Sequence, residues 1–227
     1  MFDDARLEEL ENLYDKYDSA TTKSEKRRVL NEIIAINPTD IDSMHRLVDL
    51  LPEKQQLDAL LKLKEDAWQI ILDNFNDIDD LYYDHDTRPY MFILMDLLER
   101  YERNRKVEEA YQIIKEMMEL NQGDNLGERF HLVAYYIGQN KINELRDFVN
   151  NCPENSSVAL RFAILYLDNL AKKDKEFKSL YDEFPYLYAL IGKELYFKKY
   201  QFQKIKGLIN YYRPYGFFDC FLFYDML

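Results

Sequence analysis

Two stretches decide the fold: Thr87-Arg88-Pro89-Tyr90-Met91, and further along Asn121-Gln122-Gly123-Asp124-Asn125-Leu126-Gly127-Glu128-Arg129. Between them apolar residues recur every three or four positions, which is the pattern of amphipathic helices. Pro89 stands where a first-turn proline loses no hydrogen bond. Gly123 suits a left-handed helix end, and Asp124 or Asn125 can cap the next helix. The stretch therefore predicts helices joined by short turns.

The helical pattern repeats along the chain. Residues Arg105–Ala110 match Asn140–Leu145 at an offset of 35, and Arg129–Leu132 match Arg161–Ile164 at an offset of 32. A period of about 34 residues is typical of helix-turn-helix repeats, which stack because one helix pair cannot bury its own apolar face. The prediction is an all-α fold, a right-handed superhelical stack of helix-turn-helix repeats.

The same residues resemble a family of uncharacterised bacterial tetratricopeptide-like proteins, whose members read T-R-P-Y-M and then L-N-P-x-D-N-x-G-x-R. The resemblance covers roughly residues 24–170. This chain departs from the family at Gln122, where proline is usual, and at Glu128, where a small or apolar residue is commoner. The resemblance implies a helical-repeat fold and no established activity.

We expect a single helical-repeat domain over residues 1–227, in three parts. Residues 1–86 are acidic helices followed by an irregular loop at 74–86, 87–170 are the core repeats, and 171–227 are aromatic-rich capping helices. Within the first part, Ser24 is expected to cap a helix over 26–36, and 53–75 to form one long helix. The very apolar end, Phe217–Leu227, is expected to fold back on the repeats or to meet a partner or a second copy.

The formal charge of −12 lies in one half of the chain. Residues 1–100 contain 12 Lys and Arg against 24 Asp and Glu, whereas 101–227 are balanced. An acidic half repels phosphate backbones, so no nucleic-acid partner is expected. It is either a solvated surface or a surface for a basic partner segment. The acidic loop at 74–86 could meet a basic peptide or a cation, and packing beside the Thr87–Tyr90 helix start is the favoured interpretation.

The cellular setting is expected to be the cytoplasm, with no membrane partner. Cys152 and Cys220 lie far apart without metal-ligand spacing, which fits a reducing compartment. No apolar core of a signal peptide follows Met1, and no run of 18 apolar residues occurs.

No catalytic motif accompanies the helical pattern. The chain has no G-x-S-x-G turn, no P-loop and no H-E-x-x-H, and its three histidines, His45, His85 and His131, lack ligand spacing. We therefore expect no enzyme, no cofactor and no metal site, with His45 and His131 as packed or surface helix residues.

The repeat pattern favours a non-catalytic scaffold that binds a protein or peptide. Its candidate contacts are Tyr90, Arg129, Tyr136 and Arg161. For Arg129 and Arg161 the alternative is that they tie adjacent helices together by hydrogen bonds. The second hypothesis is a self-assembling structural protein, a homodimer formed through the apolar C-terminal tail. An enzyme is a third and less favoured class.

Overall fold

The computed structural model describes residues 4–75, 78 and 80–152. These residues form eight α-helices and no strand, which confirms the all-α prediction for this part of the chain. They belong to two compact units, residues 1–123 and residues from 124 onward. The superhelical stacking of repeats stays a prediction. Arg161, the capping helices of 171–227 and the apolar tail lie outside the described residues.

The first unit contains six described helices. They are α1 (Asp4–Ser19), α2 (Lys23–Ile36), α3 (Ile41–Asp49), α4 (Glu53–Asn74), α5 (Arg88–Arg103) and α6 (Val107–Leu120). Each packs against the next along the chain, and α3 also contacts α5. The single long helix predicted over 53–75 is confirmed. In the second unit, α7 (Glu128–Gly138) packs against α8 (Ile142–Asn151).

A cluster of buried aliphatic residues holds α1 and α2 together. Its members recur every three or four positions on the facing sides of the two helices: Leu10, Leu13, Val29, Leu30 and Ile33. Tyr14 on α1 adds a polar tie, because its hydroxyl donates a hydrogen bond to Asp40. The other oxygen of Asp40 accepts from the backbone N–H of Ser43 at 2.9 Å and so caps α3.

The cap of α2 differs from the prediction. The helix begins at Lys23 rather than at residue 26, and its N-cap is Thr22 rather than Ser24. Thr22 Oγ1 accepts from the backbone N–H of Glu25 at 3.2 Å. A hydroxyl at either position can cap a helix, and capping by Thr22 adds a helical turn.

Helix α5 lies at the centre of the first unit. It contacts α3, α4 and α6, and nine of its sixteen residues are buried. Pro89 stands in its first turn, as expected. The helix therefore presents buried side chains in several directions, unlike the single apolar stripe of a helix at the surface.

The irregular stretch before α5 is anchored at its described residues. Leu81 is 1% exposed, and its backbone N–H donates to the carbonyl of Leu120 at 2.9 Å. Thr87 Oγ1 donates to the carbonyl of Leu81 at 2.9 Å, and Arg88 Nε donates to that of Tyr82 at 2.6 Å. The expectation that this loop packs beside the helix start is confirmed for these residues.

One turn recurs at the predicted offset of 35 residues. Arg105 and Asn140 have φ values of 56° and 53°, and the next residue in each case, Lys106 or Lys141, donates its backbone N–H to a tyrosine carbonyl five positions back at 2.8 Å. This is the hydrogen bond that closes a helix whose end residue is left-handed. The repeat in the sequence is therefore a repeat in backbone geometry.

The left-handed position expected at Gly123 falls elsewhere. The positive φ values in this turn belong to Asp124, at 52°, and Gly127, at 80°. Asp124 Oδ1 accepts from the backbone N–H of Arg129 at 2.9 Å and so pairs one backbone donor in the first turn of α7, although Gly127 holds the position just before that helix. The side-chain acceptor at Asp124 offsets the steric cost of its conformation, as is common for Asp and Asn.

Replacing Arg105 with glycine should stabilise the protein. Glycine has no Cβ to clash at φ 56°, so we expect Arg105→Gly to raise the free energy of unfolding by about 0.5–1 kcal/mol in urea denaturation. Glu99→Gly is the matched control, since the exposed Glu99 lies inside α5 and glycine there should cost about 1 kcal/mol. Equal destabilisation by both changes would contradict the assigned role of Arg105.

Candidate binding site

A groove of about 640 Å³ runs between α1 and α2. Its lining comes from successive turns on one side of each helix: Ala5, Glu8, Glu9, Asn12, Leu13 and Lys16 from α1, and Glu32, Ala35 and Ile36 from α2. On α1 these positions follow the three- and four-residue steps of a single helix face. The groove is thus a surface that the packing of two helices leaves open.

Small side chains open the groove and a buried core forms its floor. Ala5 and Ala35 are both exposed and carry only a methyl group, so neither fills the space between the helices. Leu13 is 4% exposed and belongs to the core cluster beneath, and the half-buried Ile36 packs against that cluster. The floor is therefore apolar and fixed by the same contacts that hold α1 and α2 together.

The rim of the groove is acidic. Glu8, Glu9 and Glu32 line it, against the single cation Lys16 among the lining residues. Glu32 Oε1 lies 2.8 Å from Arg28 Nη1, but both side chains are largely exposed, so water screens this pair. Asn12 donates its side-chain amide to the carbonyl of Glu8 at 2.8 Å. The groove combines an apolar floor with carboxylates that face solvent.

Tyr90, a predicted contact residue, is 1% exposed in the first unit. Its ring lies 5.3 Å from that of Trp68, and its hydroxyl donates to Glu116 Oε1 at 2.7 Å. Glu116 Oε2 lies 2.6 Å from Lys64 Nζ. Tyr90 thus serves as a buried link among α4, α5 and α6, and its role as a partner contact stays a prediction.

Arg129 and Tyr136 lie in the second unit. Arg129 Nε is 3.7 Å from Asp124 Oδ2, and both side chains are mostly buried, at 14% and 13% exposed. This pair joins α7 to the turn that precedes it, and the alternative interpretation, in which Arg129 ties adjacent helices together, stays a prediction. Tyr136 is half-buried, with its ring 5.8 Å from Tyr135 and 6.3 Å from Phe148.

None of the groove residues was among the predicted contacts. The only sequence signal for them is a pair of alanines on exposed helix positions thirty residues apart, with glutamates beside them. Small exposed residues contribute nothing to apolar periodicity. The groove therefore could not be predicted from the sequence and is visible only in the packing of the two helices.

Comparison with known proteins does not identify a family for this chain. Comparisons with protein families, with characterised proteins and with solved structures give no match to this chain. The resemblance to tetratricopeptide-like proteins therefore stays an expectation. None of the described helices has both the length and the apolar character needed to cross a membrane.

Removing the Tyr90 hydroxyl should weaken the first unit. Tyr90→Phe keeps the ring packed but leaves a partly buried carboxylate short of one donor, so we expect a loss of about 1–2 kcal/mol in urea denaturation. Tyr82→Phe is the control and should change little, because the contacts of Tyr82 with Tyr83 and Arg88 are made by its ring, which phenylalanine keeps. An unchanged free energy of unfolding in Tyr90→Phe would contradict the buried link.

Stability should fall at alkaline pH because of Tyr14 and Tyr90. Burial, and then the adjacent carboxylates of Asp40 and Glu116, raise the pKa of each tyrosine well above its ordinary value near 10. The unfolded chain therefore loses these protons first, so the stabilisation is complete below about pH 10 and declines above it. In thermal unfolding between about pH 9 and about pH 11, Tyr14→Phe/Tyr90→Phe should show a shallower decline than the unaltered protein. Identical slopes would refute this assignment.

Proposed function

We propose that this protein is a non-catalytic scaffold that binds a basic amphipathic segment of a partner protein in the α1–α2 groove. The observation that supports it is the combination of an apolar floor at Leu13 and Ile36 with an acidic rim at Glu8, Glu9 and Glu32. An amphipathic helix places its apolar face into such a groove and its flanking cations near the rim.

The charge distribution of the wider unit favours the same occupant. The first 100 residues carry twice as many acidic as basic side chains. Such a field attracts a basic segment from beyond contact distance and repels nucleic acid. It follows that binding should weaken with added salt.

The dimensions of the groove fit a peptide. Its volume of about 640 Å³ accommodates several side chains. The lining extends along α1 from Ala5 to Lys16, about 17 Å at the helical rise per residue, and α2 contributes its last turn, Glu32 to Ile36. A partner helix would place side chains at i, i+3, i+4 and i+7 along the α1 side. A groove that opens to solvent also suits a segment of a larger protein better than an enclosed small molecule.

The chemistry of the lining fits binding rather than catalysis. The lining residues include no histidine, cysteine, serine or threonine, so no activated nucleophile with an adjacent base is assembled there. The rim carboxylates of Glu8 and Glu9 are exposed to water. We further propose that the protein acts in the cytoplasm and that its helix pairs form the predicted superhelical repeat.

Reversing the rim charge should abolish the preference for a basic peptide. The probe is a fluorescein-labelled amphipathic helix of leucine and lysine, titrated with the full-length protein by fluorescence anisotropy. Glu8→Lys/Glu9→Lys should weaken binding about tenfold, since several screened ion pairs are replaced by repulsion. A labelled single-stranded DNA should not bind the unaltered protein.

The matched control is Glu65→Lys/Asp66→Lys, which reverses two adjacent exposed carboxylates on α4 and changes the net charge equally. This variant should bind the peptide nearly as well as the unaltered protein. Ala35→Trp should block the floor without changing charge, whereas Gln55→Trp, at a neutral and exposed position on α4, should leave binding unchanged. Equal weakening by the two charge-reversed variants, with no effect of Ala35→Trp, would place the peptide outside the groove.

A further inference from the structure

Three side chains with metal-binding groups converge where α3 contacts α5. His45 and Asp49 stand one helical turn apart on α3 and therefore on the same face. Asp96 projects from α5, fifty-one positions after His45. Each offers a ligand atom, an imidazole nitrogen or a carboxylate oxygen, and these atoms all lie within 4.8 Å of one another.

The spacing is close to that of the ligands around a small divalent cation. His45 Nε2 and Asp96 Oδ2 are 3.0 Å apart, the distance of a hydrogen bond, and an ion would take the place of the shared proton. Two ligands of a tetrahedral zinc ion bound at about 2.1 Å lie about 3.4 Å from each other, so the two side chains would move apart only slightly. Asp49, which is exposed, offers the third ligand atom within 4.8 Å of the other two.

Burial gives the cluster an anchored side and an open side. His45 is 9% exposed and is held by its contact with Asp96, whose side chain is 32% exposed. Asp49 faces solvent, so an ion can enter from that side and keep water as further ligands. An anchored imidazole with accessible carboxylates is a suitable arrangement for a three-ligand site with open positions.

The charges around the cluster also fit a bound cation. The carboxylates of Asp49 and Asp96 lie close together, and the charges of Arg46 and Arg100 act on the same place. Both arginines have partners of their own. Arg46 Nε lies 2.7 Å from Asp42, and Arg100 Nη2 donates to Gln56 Oε1 at 2.7 Å. A divalent ion would offset the repulsion between the two carboxylates.

We propose that His45, Asp49 and Asp96 bind one divalent transition-metal ion, with Zn²⁺ as the representative case. An imidazole with two carboxylates suits zinc, manganese or iron, whereas magnesium and calcium prefer oxygen ligands alone. The ion would join α3 to α5 and stabilise the first unit by binding only its folded state. This proposal does not depend on the peptide-binding function.

The test is titration of the metal-free, full-length protein with ZnCl₂ by isothermal titration calorimetry. We expect saturation at one ion per chain. Asp49→Asn and Asp96→Asn should each weaken binding at least about tenfold. Both replacements keep the shape of the side chain, and the helical circular dichroism of each variant should match that of the unaltered protein. In thermal unfolding, Zn²⁺ should raise the midpoint of the unaltered protein and have little effect on either variant.

Two variants control for other ligands. His85→Gln removes an exposed histidine that stands beside Asp84 and Asp86, and Asp66→Asn removes an exposed carboxylate on α4; both should bind Zn²⁺ like the unaltered protein. Titration with Co²⁺ should give weak visible absorption without the charge-transfer band of a thiolate ligand. The proposal is overturned by the absence of saturable binding, by affinity that Asp49→Asn and Asp96→Asn leave unchanged, or by a thiolate band.

Discussion

The position of α5 depends on the carboxylate of Glu116, which holds partners on two other helices. One oxygen accepts from Tyr90 on α5, and the other pairs with Lys64 on α4. Apolar burial drives α5 into the centre of the first unit, but because this helix is buried on several sides, burial alone distinguishes its rotations and registers only weakly. Hydrogen bonds do have direction, so this polar link selects one arrangement of three helices. The neighbouring contact of Trp68 with Tyr90 completes the same junction.

Structural features that depend on residues close together in the sequence could be predicted. The choice between two nearby residues of similar chemistry for one cap or turn position could not. Apolar periodicity identified the long α4, and Pro89 identified the start of α5, because both act within a few residues. The recurring turn at Arg105 and Asn140 was visible as an offset of 35 residues and proved to be a repeat of backbone geometry. The cap at Thr22 and the left-handed Asp124 were missed. At each place two residues within two positions of each other had suitable chemistry, and small differences in helix length or hydrogen bonding decided between them.

Sites that join distant segments left little signal in the sequence. Tyr90 was an attractive surface candidate by composition, yet its ring and hydroxyl are both used inside the first unit. The groove depends on the small side chains of Ala5 and Ala35, which stand thirty residues apart. A small side chain at an exposed position leaves no mark in the pattern of hydrophobic residues. His45 and Asp96 are separated even further and come together only through the packing of α3 on α5. The burial of Tyr90, the groove, and the approach of His45 to Asp96 all depend on tertiary contacts, whereas apolar periodicity in a sequence indicates only local structure.

The groove belongs to a part of the molecule that is ordered before any partner binds. Asp40 caps α3 with one oxygen and accepts from Tyr14 on α1 with the other, so the same carboxylate fixes α1 relative to α3. The aliphatic core beneath Leu13 then fixes α1 relative to α2. A preformed groove spares a ligand much of the cost of ordering its receptor. In the proposed complex, the exposed carboxylates of the rim would act mainly on the rate of encounter, and the apolar floor mainly on the lifetime of the complex. The acidic half would then favour the approach of basic segments, and the shape of the groove at Ala5 and Ala35 would decide which of them dissociate slowly.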